Sequence, residues 1–246
     1  SSDLNKKAPF DNVNVRKALN LSLDRNVITD KVLGQGQTPT YVFTPTYIEE
    51  GHLIQQPAYS KEPMAQRNEE AIKLLEEAGY SKANPLKFSI LYNTNENHKK
   101  VAIAAASMWK ANTKGLIDVK LENQEWKTYI DSRRAGRYDA ARAGWNADYN
   151  QATTFGNYFL SNSSNNTAKY ANPEYDKAIA ESYVATDAEG RAKAYAKAEE
   201  ILAKDFGIVP IFNYVNPRLV KPYVKGYSGK DPQDHIYLRN LYIIKH

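Results

Sequence analysis

Residues suited to binding a charged ligand are concentrated between positions 138 and 150. Arg142, Gly144, Trp145 and Asp148 follow one another closely there. On a strand, successive side chains alternate faces, so Arg142 and Gly144 would share one face and Trp145 would take the other. A cation and an anion then lie about 20 Å apart at most, which matches a short zwitterionic peptide. The alternative is an ordinary strand whose charged ends pair with neighbouring helices.

Catalytic and metal-binding patterns are missing from the sequence. The chain has no cysteine and no Gly-x-Ser-x-Gly elbow, so nucleophilic catalysis of the familiar types is not expected. The histidines stand isolated from one another, without the spacing of metal ligands: His52, His98, His235 and His246. We therefore expect a binding protein that is not an enzyme and that needs no metal or cofactor.

Composition narrows the class of partner. The 246 residues carry a net charge of +5, spread along the chain without a basic stripe, so a nucleic-acid partner is not expected. No apolar run approaches 18 residues, so no transmembrane helix is expected either. Tyrosine outnumbers phenylalanine 18 to 7, which favours surfaces that both pack and form hydrogen bonds. The start Ser-Ser-Asp, with no initiator Met or signal peptide, is what we expect of a processed or excised fragment.

Periodicity predicts an α/β fold with parallel strands. Residues 86–92 alternate as a strand, 95–112 have helical spacing, and 118–126 again suggest a strand. A short helix over 129–137 and a strand over 138–145 complete the alternation, which is typical of a parallel sheet. Ligands bind at the carboxyl ends of such strands, and Arg142 to Asp148 would lie at one of them.

The second half is predicted to begin with two helices. Asn172 and Pro173 form a suitable helix start, and Thr186 with Glu189 forms a capping box for the next helix. An apolar strand is predicted over 208–214. Beyond Asn216, prolines and glycines divide the chain into short apolar pieces.

Several stretches carry a resemblance to a known family. They are Ala141–Asn150, Asn123–Thr128, Leu91–Thr94, Leu160–Ser164, Arg218–Pro222 and Leu241–His246. In these stretches the chain resembles the periplasmic oligopeptide-binding proteins of bacterial ABC importers, extracellular solute-binding protein family 5. The resemblance covers essentially the whole chain but only the C-terminal half of those proteins. It implies one lobe of a type II periplasmic-binding-protein-like fold, with a mostly parallel central sheet flanked by helices.

The resemblance also implies a role for each site residue. Asp148 matches the position that holds the peptide N-terminus, and the main chain of Gly144, Trp145 and Asn146 pairs with the ligand. The remaining matched positions bind the peptide C-terminus at different lengths (Arg142, Arg133, His98) or line side-chain pockets (Trp126, Trp145, Arg134). From the residues alone, Arg133 could instead be a solvated helix end, and Trp126 could belong to the core.

The sequence departs from close relatives at two matched positions and near a third. Asn146 replaces a cysteine, so a disulfide is lost there. Arg134 replaces a histidine, which would alter a side-chain pocket. Leu33 falls near a position where relatives offer a lysine to longer peptides, so the preferred peptide length is left open.

By resemblance, residues 1–215 form the C-terminal peptide-binding lobe, and residues 216–246 cross back to an absent N-terminal lobe. The expected function is capture of short oligopeptides for the membrane subunits of an ABC importer. The expected location is the periplasm, or a lipid anchor outside the cytoplasmic membrane. A dipeptide, murein-peptide or haem binder on the same fold is the nearest alternative. An α/β hydrolase and a surface adhesin are more distant alternatives.

Overall fold

The described part of the chain, residues 7–229, 231 and 235–245 of this computed structural model, contains α-helices and three β-sheets. In chain order the α-helices and β-strands are α1 (Val13–Leu21), α2 (Arg25–Val27), β1 (Thr38–Pro39), α3 (Met64–Glu77), β2 (Leu86–Asn93), α4 (Glu96–Asn112), β3 (Ile117–Gln124), α5 (Trp126–Arg134), β4 (Ala140–Ala141), α6 (Thr153–Gly156), α7 (Pro173–Val184), α8 (Ala188–Lys204), β5 (Phe212–Asn213), β6 (Val224–Lys225) and β7 (Tyr242–Ile243). Residues 1–6 of the predicted lobe lie outside the described residues. So do residues 230, 232–234 and His246 of the predicted terminal segment.

A parallel sheet of order β3-β2-β4 holds the centre of the fold. Strand β2 pairs in parallel with β3 along its whole length, from Leu86 opposite Ile117 to Asn93 opposite Gln124. On its other side β2 pairs in parallel with β4, with Ile90 opposite Ala140. Helices α4 and α5 connect these strands, so the predicted parallel α/β alternation is confirmed. All three strands therefore end at one edge of the sheet.

Several predicted boundaries were wrong. The strand predicted over 138–145 is only Ala140–Ala141, and the one predicted over 208–214 is only Phe212–Asn213. Residue 126, predicted to lie in a strand, begins α5 instead. The capping box was also wrong, because Asp187 is the N-cap of α8 and accepts from the Gly190 amide at 2.7 Å. A strand lasts only as long as its neighbour pairs with it, which apolar content alone does not indicate.

Most of the core is one contiguous apolar cluster. Its fully buried members come from helices and strands throughout the chain, among them Leu21, Leu75, Leu86, Ile117 and Ile179. A second, small cluster around Leu91, Tyr129 and Tyr138 lies between β2 and α5. No helix among the described residues combines the length and apolar character needed to cross a membrane.

The terminal segment forms its own small antiparallel sheet. Strands β6 and β7 pair with Val224 opposite Ile243. The apolar side chains of the segment are largely exposed, with Leu219 fully exposed and Leu238 and Ile243 76% and 69% exposed. Tyr227, Gly229 and Asp231 nevertheless line the same cavity as the end of β4, so part of the segment lies over the lobe.

Candidate ligand-binding site at the carboxyl edge of the sheet

The candidate site begins where β4 ends. The Arg142 amide donates to the Leu91 carbonyl at 2.8 Å, and after that bond the chain leaves the sheet. The predicted strand geometry through Trp145 is therefore wrong. The location at the carboxyl ends of parallel strands is as predicted, and it is the edge where open α/β sheets hold ligands.

The main chain of residues 143–147 has no hydrogen-bond partner among the described residues. Across the part of the chain that the structure describes, none of its amides or carbonyls takes part in a hydrogen bond. Ala143, Gly144 and Asn146 are exposed, whereas the Trp145 ring packs edge-on against Tyr158 with centroids 4.9 Å apart. Unpaired main-chain groups at a surface can pair with an added extended chain.

Arg142 supplies a cation beside this segment. Its guanidinium donates to the Tyr214 hydroxyl and lies 5.5 Å from the centre of the Tyr214 ring. Burial lowers the pKa of Arg142 to about 10, with Tyr129 opposing the shift and the charge of Arg133 adding to it. The side chain therefore stays protonated at neutral pH.

His98 lies at the start of α4 and near Arg142. Its Nδ1 is 2.8 Å from Asn93 Oδ1, at the end of β2, and its amide donates to the N-cap Asn95 at 3.1 Å. Burial, followed by the charge of Arg142, lowers the pKa of His98 to about 4. The imidazole is therefore neutral at pH 7 and is a hydrogen-bonding group there, not a second cation.

Arg133 belongs to the same cluster. It donates to the Tyr158 hydroxyl at 3.0 Å and to Thr167 Oγ1 at 3.2 Å, and it lies 5.6 Å from the centre of the Tyr129 ring. Its buried Nε has no hydrogen-bond partner among the described residues. The side chain is half-buried, so the alternative of a solvated helix end is wrong.

Trp126 and Arg134 differ from that cluster in exposure. Trp126 is 59% exposed and stacks on Tyr129 with centroids 5.8 Å apart, so it is not a core residue. Arg134 is exposed at the end of α5 and makes no side-chain hydrogen bond or ion pair with any described residue. Its contribution to a pocket stays a prediction.

Asp148 presents an exposed carboxylate beyond the free main chain. Its Oδ2 accepts from the Thr154 hydroxyl at 3.2 Å, and its amide donates to the same hydroxyl oxygen at 3.0 Å. It forms no ion pair with any cation in the described chain. The group is therefore oriented by Thr154 and available to an external cation.

A cavity of about 970 Å³ opens beside these residues. The free segment with Arg142, Gly144, Trp145 and Asn146 forms one wall, and residues 208–214 face it. Asp148, His98, Arg133, Trp126 and Arg134 lie outside the cavity lining. Four of the predicted residues therefore line one cavity. His98 and Arg133 lie outside its lining but close enough to Arg142 for their charges to interact. Arg134 belongs to neither group.

Sequence reasoning missed the tyrosines that organise the cations. Tyr214 covers Gly144 so closely that a Cβ there would meet its hydroxyl group. Tyr129 donates to the Arg142 carbonyl, and Tyr158 accepts from Arg133. The tyrosine-rich composition was the only signal of this role, and it identified no position.

Comparison with known families gives one match of direct relevance. Residues 3–167 match the family model described as bacterial extracellular solute-binding proteins, family 5 Middle.

Two curated relatives span nearly the whole chain. It is 98% identical over 242 residues to the periplasmic oligopeptide-binding protein OppA of Haemophilus influenzae, covering 98% of this chain and 45% of that protein. It is 44% identical over 240 residues to the periplasmic murein peptide-binding protein MppA of Escherichia coli, covering 98% of this chain and 44% of that protein. The chain thus spans about half the length of the relatives it matches, and both are named as binding proteins.

Solved structures agree with these sequence matches. The crystal structure of Haemophilus influenzae OppA in complex with RPPGFSPFR superposes with a TM-score of 0.93 at 96% identity, over 99% of this chain and 48% of that one. The Escherichia coli murein tripeptide-binding protein MppA superposes with a TM-score of 0.89 at 43% identity, over 100% of this chain and 48% of that one. The predicted fold class is therefore confirmed.

Proposed function

The chain belongs to the bacterial extracellular solute-binding proteins of family 5, and from this premise we propose that it captures short oligopeptides for an ABC importer. It acts as the C-terminal lobe of a two-lobed binding protein. The relative that is 98% identical is named a periplasmic oligopeptide-binding protein, and a structure at 96% identity holds the peptide RPPGFSPFR.

The observation that carries the proposal is the free main chain of residues 143–147 beside a charged arginine. A peptide of any sequence presents amides and carbonyls, so pairing with Gly144, Trp145 and Asn146 gives affinity that does not depend on side chains. Because the described residues leave this segment unpaired, a ligand strand displaces no protein hydrogen bond there.

The two charged ends of the peptide have separate partners in this proposal. The exposed carboxylate of Asp148 takes the α-ammonium group. Arg142, whose fork-shaped guanidinium suits two carboxylate oxygens, takes the peptide C-terminus at one peptide length. His98 and Arg133 serve C-termini at other lengths, while Trp126, Trp145 and Arg134 line side-chain pockets.

The remaining partners follow from the family. An importer's membrane subunits receive the peptide, and the protein works in the periplasm or is held by a lipid anchor outside the cytoplasmic membrane. Residues 216–246 cross back to an N-terminal lobe. The exposed apolar side chains of this segment support that assignment, because an N-terminal lobe would cover them.

The proposal is tested by substituting Asp148→Asn in the two-lobe protein. Removing the charge should weaken binding of a free tripeptide by on the order of 2–5 kcal/mol, since the closed site buries the ion pair. Calorimetric titration with free and N-acetylated tripeptides measures the effect, and the acetylated peptide should bind both proteins equally weakly.

Glu76→Gln serves as the matched control, because Glu76 is an exposed carboxylate on α3 without an ion pair among the described residues. It should leave both affinities unchanged. An unaltered dissociation constant for Asp148→Asn with the free peptide would remove Asp148 from the site. Failure of the unsubstituted protein to bind any peptide would end the proposal itself.

A further inference from the structure

An ion pair with a buried carboxylate lies behind the turn that carries Asp148. Glu50, only 5% exposed, accepts from Arg191 of α8, whose Nε and Nη2 both lie 2.7 Å from Glu50 Oε1. The other carboxylate oxygen, Oε2, accepts from the side-chain amide of Gln151 at 2.9 Å. Both oxygens are thus engaged, one by a helix and the other by the turn that follows Asp148.

The backbone at Glu50 adds a second observation. Its φ is +63°, in the left-handed region that residues other than glycine and asparagine seldom adopt. Such a conformation strains the backbone and persists only where the surroundings hold it. A glycine would adopt this backbone without that strain but would lack the carboxylate that accepts from Arg191 and Gln151.

Further hydrogen bonds join the same loop to the turn. The Ala152 amide donates to the Glu49 carbonyl at 3.0 Å, and the Glu49 amide donates to Asn150 Oδ1 at 3.4 Å. Hydrogen bonds of both main chain and side chains therefore connect residues 49–50 with residues 150–152. This contact spans about a hundred positions of sequence, with 101 between Glu50 and Gln151.

From Gln151 the contacts continue to Asp148. The Thr153 hydroxyl donates to Gln151 Oε1 at 2.6 Å, and the next residue, Thr154, donates to Asp148 Oδ2. A continuous set of hydrogen bonds and one peptide link thus runs from Arg191 to the exposed carboxylate. Movement of the turn would change where that carboxylate points.

We propose that Glu50 and Arg191 are positioning residues that hold Asp148 for the α-ammonium group of a peptide. This inference rests on the proposed function, because Asp148 is the ammonium partner only there. Glu50 and Arg191 do not touch the ligand. They act through Gln151 and the turn, so their loss affects ligands with a free amino terminus more than ligands without one.

The experiment compares Glu50→Gln, Gln151→Leu and the control Glu181→Gln in the two-lobe protein. Glu181 on α7 pairs with Lys197 of α8 at 3.2 Å, and both side chains are over 40% exposed, so the control removes an ion pair of the same helical region. Gln151→Leu keeps the Glu50–Arg191 ion pair and removes only the hydrogen bond that links it to the turn. This variant therefore tests the inference even if the Glu50→Gln protein does not fold.

Affinities are measured for one tripeptide in free and N-acetylated forms, alongside unfolding in urea. We expect both Glu50→Gln and Gln151→Leu to weaken free-peptide binding about tenfold, a usual size for coupling between linked sites. Binding of the acetylated peptide should change less than about threefold, and Glu181→Gln should change neither affinity.

Equal losses for the two peptides would overturn the inference, because they would indicate a general structural role. No loss for either variant would overturn it as well. In both cases the unsubstituted protein would still prefer free peptides and Asp148→Asn would still abolish that preference, so the proposed function would stand. If the unsubstituted protein bound no peptide, the proposed function would fail first.

Discussion

At the residue scale, two neighbouring basic side chains have different charge states. Burial lowers the pKa of both Arg142 and His98, but the pKa of Arg142 falls only to about 10 whereas that of His98 falls to about 4. At neutral pH only the arginine is therefore charged. A ligand carboxylate beside Arg142 would meet a cation, and one beside His98 would meet a neutral hydrogen-bonding group.

The pKa of His98 makes stability depend on pH between about 4 and 6.5. In this window the unfolded chain, with an ordinary pKa of about 6.5, binds more protons at His98 than the folded chain does. The free energy of unfolding should therefore rise with pH through the window and fall as pH drops towards 4. Urea unfolding of His98→Gln should show a smaller fall over the same range.

Nuclear magnetic resonance of the unsubstituted protein provides the direct check. The His98 ring signal should keep its neutral position at pH 5.5 and move only near pH 4. A ring that is already half protonated at pH 6.5 would contradict the expected burial effect.

At the element scale, hydrogen bonds from buried polar side chains connect segments that have little regular secondary structure. The fully buried Arg25 donates to the carbonyls of Pro210 at 2.7 Å, Asn20 at 3.0 Å and Thr40 at 3.1 Å. It thereby joins the end of α1 to the segments that carry β1 and β5. Those strands have two residues each, so side-chain hydrogen bonds supply much of the interaction that stabilises their pairing.

We expect Arg25→Lys to lower the free energy of unfolding by about 2–4 kcal/mol. A lysine keeps the charge, but its compact ammonium cannot reach all three carbonyls, and each buried group left unpaired costs about 1–3 kcal/mol. Denaturation in urea measures the change. Arg137→Lys, at an exposed position after α5, should stay within about 0.5 kcal/mol of the original. Equal stabilities for the two variants would contradict the role given to Arg25.

At the scale of the whole molecule, the chain has a core of its own but an open site. The apolar cluster is contiguous through helices and strands from Phe10 to Leu202. Asp148, Trp126 and most of the free main chain (Ala143, Gly144 and Asn146) are exposed. The chain can therefore fold stably without binding a ligand tightly.

We expect the chain to unfold cooperatively by itself and to bind peptides very weakly. Two-lobed proteins close on their ligands and exclude water, which strengthens each charge pair. A single lobe leaves the ligand half solvated, where an ion pair contributes only about 0–1 kcal/mol. Calorimetric titration with a tripeptide that binds the two-lobe protein tightly is the test. An affinity equal to that of the two-lobe protein would mean that this lobe carries the whole site.

Local patterns in the sequence were sufficient for the central architecture. The spacing of apolar residues in β2, α4 and β3 follows from the geometry of strands and helices, which repeats every few residues. The alternation therefore predicted a parallel α/β sheet and a ligand edge at Arg142. It misjudged where β4 ends, because pairing with β2 stops after the bond from the Arg142 amide to Leu91, and no local pattern encodes that limit.

Only the tertiary structure decided which distant side chains meet. Arg191 lies 141 positions from Glu50 in the sequence, and Tyr214 lies 72 positions from Arg142. The charge state of His98 likewise depends on burial and on an arginine from another element. Such contacts depend on how whole elements pack, and residue types alone do not specify that packing. The sequence indicated which groups have the chemistry to bind a peptide, and the fold determined how those groups are held.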